Sequence, residues 1–274
     1  MARNKSRITI TLDEKLLANL DRLIDGVKIK NRSHAIEYYL LKNLRQKKIR
    51  IAVILAGGKG ICLNGKTTIT SKAMAEYEGQ PIIDRMLKWL KREGIEEVII
   101  FAGKFSEAIK KHIESREDPG LKISYESSDS GTAGSLKYLR GAMGETFILV
   151  NGDVLCEARI DEIFEFHRKN GGDCTICMTS KKDPRSFGSI KLNGNRIVDF
   201  IEKPDSGKVE SYLINAGIYL MEPKVCSIVS KEGYRSLERD LFPALSRQGK
   251  IYGYYLNKKW EHLIGSEKKQ NEDK

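Results

Sequence analysis

From Ile51 onward, short apolar runs alternate with longer segments of mixed polarity. The runs Ile51–Leu55, Glu97–Ala102, Lys122–Tyr125 and Phe147–Val150 read as strands. Helical segments separate them, at about Ile82–Arg92, Ser106–Ser115 and Thr132–Met143. Strand and helix in alternation predict an α/β fold whose sheet is covered by helices and is mainly parallel. After Val150 the pattern changes. Ser189–Leu192 and Arg196–Glu202 flank Asn193-Gly194, a two-residue hairpin signal. Ile214–Met221 and Ile251–Leu256 add strands, which makes the sheet mixed, and Ser236–Leu245 reads as a helix. The last residues, SEKKQNEDK, are polar; a body over 49–266 with a flexible tail over 267–274 is expected.

The first fifty residues follow another rhythm. Arg7–Leu12 alternates, with Ile8, Ile10 and Leu12 on one face and Arg7, Thr9 and Thr11 on the other. Asp13 can cap a helix striped by Leu16, Leu17, Leu20, Leu23 and Ile24, which Gly26 would end. Asn31 or Ser33 can cap a second helix, striped by Ala35, Ile36, Tyr39, Leu40 and Leu44. One strand and two short helices cannot bury these stripes alone. Two copies can, by pairing their strands and interlocking their helices. Residues 1–48 are therefore expected to form a small domain that makes the chain a homodimer or a higher even oligomer. The order RITITL then NRSHAIEYYLLKNL resembles the ribbon-helix-helix family of DNA-binding proteins. The resemblance implies a ribbon in the major groove of double-stranded DNA, with Arg7, Thr9 and Thr11 at base edges. It also implies a phosphate anchor at Asn31, Arg32 and Ser33.

Charge sharpens this division. The net charge is +11, and residues 1–50 hold 13 Lys/Arg against 5 Asp/Glu, so most of the surplus lies in the head. A basic head on a nearly neutral body suits a polyanion. No apolar run approaches membrane-spanning length, and the N-terminus lacks the apolar core of a signal peptide. Five cysteines with no framework spacing fit a reducing cytoplasm. Cys174 and Cys177 form C-x-x-C inside an expected strand, which reads as buried thiols rather than a metal pair.

The stretch Ile51–Met74, IAVILAGGKGICLNGKTTITSKAM, carries two phosphate-loop patterns. Gly60–Thr67 fits G-x-x-x-x-G-K-T, but a P-loop's first glycine directly follows its strand, and here Ala56–Lys59 intervene. Its interior would hold bulky Ile61, Cys62 and Leu63, and Asp153 lies beyond the end of the FILV strand. The alternative, LAGGKG with Lys72 beyond it, is followed by GTAGSL at Gly131–Leu136, LVNGD at Leu149–Asp153 and FIEKP at Phe200–Pro204. NAGIY at Asn215–Tyr219 and DLFPAL at Asp240–Leu245 complete the series. In this order and spacing the motifs resemble the sugar-phosphate nucleotidylyltransferases over nearly all of 51–265.

The resemblance implies a Rossmann-like domain that transfers a nucleoside monophosphate from an NTP to a sugar phosphate, with Mg2+ or Mn2+. Leu55, Ala56, Gly57, Gly58, Gly60, Gly131, Thr132 and Ala133 would hold the nucleotide. Lys72 would meet the α-phosphate or pyrophosphate, and Asp153 the metal. Gly188, Glu202, Lys203, Asn215 and Gly217 would form the sugar-phosphate site. Departures cluster on the triphosphate side: Cys62 stands where the family carries arginine, Ser71 where it carries proline, and Trp260-Glu261-His262 where it carries W-x-D. The second metal ligand is thus either Glu261 or His262, and Lys59 or Lys66 could supply the missing charge. Two functions follow. One is an active transferase tethered to DNA. The other is a regulator whose weakened transferase-like body senses a sugar phosphate or nucleotide sugar.

Overall fold

The computed structural model describes residues 8–44, 48–57, 61–62, 69–115, 121–126, 130–141, 143–204 and 211–262. Arg7, Gly58, Lys59, Gly60, Lys66 and the tail over 267–274 lie outside the described residues. The chain divides into two compact units, Met1–Lys47 and Lys48–Lys274. Among the described residues, no helix is long and apolar enough to cross a membrane.

In the first unit, α1 spans Glu14–Arg22 and α2 spans Arg32–Leu44. The Asp13 carboxylate accepts the backbone N–H groups of Lys15 and Leu16, which makes it the expected cap. Asn31 is the second cap, its Oδ1 accepting the His34 N–H at 2.9 Å. Between the helices, Asp25 Oδ1 gathers the N–H groups of Val27, Lys28 and Ile29. Arg32 forks onto Asp21, two contacts of 2.7 Å. The expected strand over 7–12 is absent among residues 8–12. A strand exists through its hydrogen-bonded neighbour, and one copy of this unit offers none. Ile8, Ile10, Leu16, Leu23, Val27, Tyr38 and Leu40 are exposed, and α1 buries no residue.

The second unit is built on a mixed sheet. Its first strand is β1 (Ile51–Leu55). Two small hairpins follow: β2 (Ile61–Cys62) with β3 (Ile69–Thr70), and β4 (Glu76–Tyr77) with β5 (Gln80–Pro81). Then come α3 (Ile82–Arg92), β6 (Glu97–Phe101), α4 (Ser106–Glu114) and β7 (Lys122–Glu126). A four-residue turn of helix, α5 (Gly131–Gly134), precedes β8 (Phe147–Asn151), β9 (Val154–Cys156), α6 (Ile160–Asn170) and β10 (Cys174–Ser180). The chain continues through β11 (Gly188–Asn193), β12 (Arg196–Glu202), β13 (Leu213–Met221) and α7 (Lys224–Glu232). It closes with α8 (Phe242–Arg247), β14 (Ile251–Tyr255) and β15 (Trp260–His262).

Among the described residues the main sheet has the order β10-β14-β12-β11-β13-β8-β1-β6-β7. Strands β8, β1, β6 and β7 are parallel. From β13 outward the pairing is antiparallel, except where β10 and β14 run side by side. Parallel strands thus form one half of the sheet rather than most of it, because the later connections are hairpins and short returns. Each face has its own core. Ala52, Ile54, Ile100, Ile148 and Val150 pack with residues of α3, α4 and α6 on one side. Val53, Phe101, Phe147, Leu149 and Tyr219 pack with Leu136, Val225, Phe242 and Leu245 on the other. Cys174 belongs to the second core and Cys177 to the first, so the C-x-x-C pair faces opposite ways and cannot share an ion.

Two expected helices are broken. Instead of one helix over 132–143, α5 passes into a 3-10 segment at Ser135–Leu139. The Arg235 carbonyl accepts the N–H groups of Ala133 and Gly134, and Gly131 takes a positive φ of 84°. Instead of one helix over 236–245, a π-turn at Leu237–Leu241 precedes α8. Leu241 N–H bonds the Ser236 carbonyl, five residues back, just before Pro243 removes a donor.

Candidate active site

The carboxyl end of the parallel half gathers the motif residues. Ala56 follows β1 and donates its N–H to the Phe101 carbonyl at 2.8 Å. Gly152 follows β8 and donates to the Leu55 carbonyl at 2.9 Å. A Cβ on Gly152 would lie 2.8 Å from that same oxygen, so only glycine lets the two strand ends close. Asp153 is thereby delivered beside the first loop.

Ser71 is the second fastening. It is fully buried, and its hydroxyl donates to the Ala56 carbonyl at 2.6 Å while accepting the Ala73 N–H. This bond ties the Lys72 turn to the end of β1. Lys72 Nζ then reaches Asp153 Oδ2 at 2.8 Å. His262 Nε2 lies 3.4 Å from the same oxygen. Burial alone would push the Asp153 carboxyl up. The His262 ring and the Lys72 ammonium overcome it and hold the group well below the usual carboxylate range.

The strand pair β9–β15 brings the C-terminal motif here, with His262 opposite Val154 and Glu261 opposite Leu155. Successive side chains on β15 face opposite ways. Glu261 pairs with Lys259 at 3.2 Å and hydrogen-bonds Tyr77 on the far side. Of the two expected second metal ligands, His262 therefore stands beside Asp153 and Glu261 does not. Among the described residues no group of three or more His, Cys, Asp or Glu could hold a metal ion. One carboxylate suits an ion that arrives with a nucleotide, since Mg2+ is held by one or two carboxylates plus substrate phosphates.

The sugar-side motifs converge on β11–β13. Gly188 lies opposite Glu202, where a Cβ would crowd the Phe200 ring and the Glu202 carboxylate. Burial raises the Glu202 carboxyl and the charge of Glu238 adds to it, against Lys203 and Arg239. Lys203 has φ 49°, a left-handed conformation that costs a side-chain-bearing residue on the order of 1 kcal/mol or more. Its N–H donates to the Phe187 carbonyl. Asn215 Oδ1 accepts the Gly217 N–H at 2.9 Å and its Nδ2 donates to the Tyr219 hydroxyl at 2.8 Å. Gly217, at φ 73°, leaves room for Asn151 and Val154. The Thr132 hydroxyl contacts Glu238 and accepts the Leu237 N–H, which holds α5 against the π-turn.

Gly57 differs from Gly152, Gly188 and Gly217. A Cβ there would meet only ordinary contacts at 3.6–3.7 Å, so nothing among the described residues requires glycine. The look-alike GICLNGKT lies partly outside the described residues. Its far flank, Ile69–Thr70, is a strand, whereas a P-loop opens a helix there. Asn151, Tyr219, Phe187 and Glu238 were not among the expected site residues. The first two sit inside the quoted motifs LVNGD and NAGIY; Phe187 and Glu238 come from folding alone.

The sequence profile described as nucleotidyl transferase matches residues 51–265. The chain is 33% identical over 218 residues to mannose-1-phosphate guanylyltransferase of Mycobacterium tuberculosis, covering 77% of this chain and 60% of that protein. It is 31% identical over 217 residues to mannose-1-phosphate guanylyltransferase catalytic subunit beta of Danio rerio, covering 76% of this chain and 59% of that protein. The chain thus spans about 60% of the length of these curated relatives. A crystal structure of a putative glucose-1-phosphate thymidylyltransferase from Bacillus anthracis superposes with a TM-score of 0.68 at 23% identity, covering 77% of this chain and 89% of that one. With the strand-end geometry, the ordered motif series and the profile match over most of its length, the chain belongs to the nucleotidyl transferase family.

Proposed function

We propose that the body transfers a nucleoside monophosphate from an NTP to a sugar 1-phosphate. A sugar-phosphate oxygen attacks the α-phosphorus, the bond to the bridging oxygen breaks, and pyrophosphate leaves. The observation that carries this reading is the Lys72–Asp153 pair at 2.8 Å, set against the end of β1. Lys72 is 41% exposed and can leave Asp153 for a phosphate once a nucleotide arrives. Asp153 would share a divalent ion, Mg2+ or Mn2+, with the nucleotide phosphates; that ion would neutralise charge on the transferring group. Leu55, Ala56, Gly57, Gly131, Thr132 and Ala133 would line the nucleotide. Gly188, Glu202, Lys203, Asn215 and Gly217 would receive the sugar phosphate. The relatives are guanylyltransferases acting on mannose 1-phosphate, so GTP with mannose 1-phosphate is the first pair to test. Pyrophosphate release is the assay. Asp153→Asn is expected to lower kcat by about 100-fold or more, the scale of losing one charge-stabilising group; wild-type turnover in this variant would refute the assignment.

The head is proposed to dimerise and to bind double-stranded DNA through Arg7, Thr9 and Thr11. Support comes from its basic surplus and from the apolar side chains that one copy leaves exposed. Arg32 is engaged with Asp21, and Asn31 caps its own helix, so Ser33 and backbone N–H groups are the better phosphate contacts. Arg7→Ala should weaken duplex binding. A second reading, a ligand-sensing regulator, is favoured by His262 standing where the family carries an acid. Absence of turnover on every NTP and sugar phosphate, with DNA affinity that responds to ligand, would select it.

A further inference from the structure

Resting on the transferase reading above, we propose that His262 and Asp153 form a mixed nitrogen–oxygen clasp selecting Mn2+ or Co2+ over Mg2+. The separation of Nε2 and Oδ2, 3.4 Å, is long for an N–H donor on a carboxylate, which sits at about 2.7–2.9 Å. Two ligands roughly 2.0–2.2 Å from one ion, at right to tetrahedral angles, lie roughly 3.0–3.4 Å apart. Asp153 Oδ2 here holds Lys72 at 2.8 Å and the His262 ring at 3.4 Å, and the same span admits an ion once Lys72 has moved to a phosphate.

Ring packing orients the imidazole toward Asp153. Its ring meets Phe187 edge-on at 5.2 Å and stacks near Trp260, which is itself fixed by a bond from Nε1 to the Ala216 carbonyl. Nδ1 is buried and has no partner, so the ring's polar contact is made through Nε2 toward Asp153. Imidazole is a good ligand for first-row transition ions and a poor one for Mg2+, which takes oxygen. An acid at this position would give an all-oxygen pair. The histidine changes which ion the pair prefers, while Lys72 moves from Asp153 to a phosphate as in the transferase reading.

The test uses the full chain with Mn2+, followed by electron paramagnetic resonance, with inorganic pyrophosphate as a nitrogen-free phosphate ligand. The pulsed spectrum of wild type should carry coupling to a directly bound nitrogen, and His262→Ala should weaken Mn2+ binding at least roughly tenfold. His262→Asp should raise Mg2+-supported pyrophosphate release relative to Mn2+. A wild-type spectrum without bound nitrogen, or unchanged Mn2+ affinity in His262→Ala, overturns the clasp. The wild-type spectrum decides the matter even if the variant fails to fold. Absence of turnover with every ion, alongside nitrogen coupling, would refute the transferase reading and leave the clasp standing.

Discussion

Glycines that look alike in sequence have different jobs in the folded chain. Gly152 and Gly217 are demanded by the protein: a Cβ would press on the Leu55 carbonyl in one case and on Val154 and Asn151 in the other. Gly217→Ala, at φ 73°, should cost about 1–3 kcal/mol and lower Tm by several degrees. Gly57→Ala should leave Tm unchanged. Lost turnover in Gly57→Ala would then report a ligand's approach to the backbone; full turnover would remove Gly57 from the nucleotide site. The meeting of Lys72 with Asp153 could be anticipated from motif order, because LAGGKG and LVNGD each end a strand on one edge of the sheet and Lys72 follows the first at short range. The choice of His262 over Glu261 could not. A strand of three residues has no periodicity to read, and its facing is set by pairing with Val154–Cys156 more than a hundred positions earlier.

At the level of elements, periodic segments were legible to within a residue or two. Ile51–Leu55, Ile82–Arg92 and the hairpin across Asn193-Gly194 lie where the pattern puts them. The two broken helices meet each other at their first turns, a long-range contact that no local pattern encodes. The Arg235 carbonyl captures two N–H groups of α5, and the Thr132 hydroxyl takes the Leu237 N–H at the π-turn. A buried junction between α6, β10 and the end of β13 was equally invisible. His167 bridges Thr175 at 2.8 Å and Glu222 at 3.0 Å, while Thr146 donates to Glu222 at 2.8 Å. The His167 contact foremost holds the Glu222 carboxyl below its ordinary range, against burial. A depressed folded value means stability that is present above the unfolded pKa and is lost as pH falls through the folded one. The Tm advantage of wild type over Glu222→Gln should therefore be largest near neutrality and shrink as pH drops below about 4.5. A constant gap across that window would discount the ionised bond.

For the whole molecule, the division at Lys47/Lys48 makes a clean prediction. Both faces of the large sheet are covered by the second unit's own helices, so residues 48–274 should fold without the head. The truncated chain should keep the melting temperature of the body, and sedimentation should find it monomeric. Full-length chain at micromolar concentration should be dimeric. A dimeric truncation would move self-association from the head to the body. Pairing of β9 with β15 has a consequence in time as well as in space. During synthesis Asp153 emerges long before His262, and the β1–β6–β8 sheet can assemble while Trp260–His262 are still inside the ribosome. A nascent chain halted there would carry its strand-end carboxylate beside Lys72 but without the His262 ring, so the centre becomes complete only once Trp260–His262 have emerged and β15 has paired with β9.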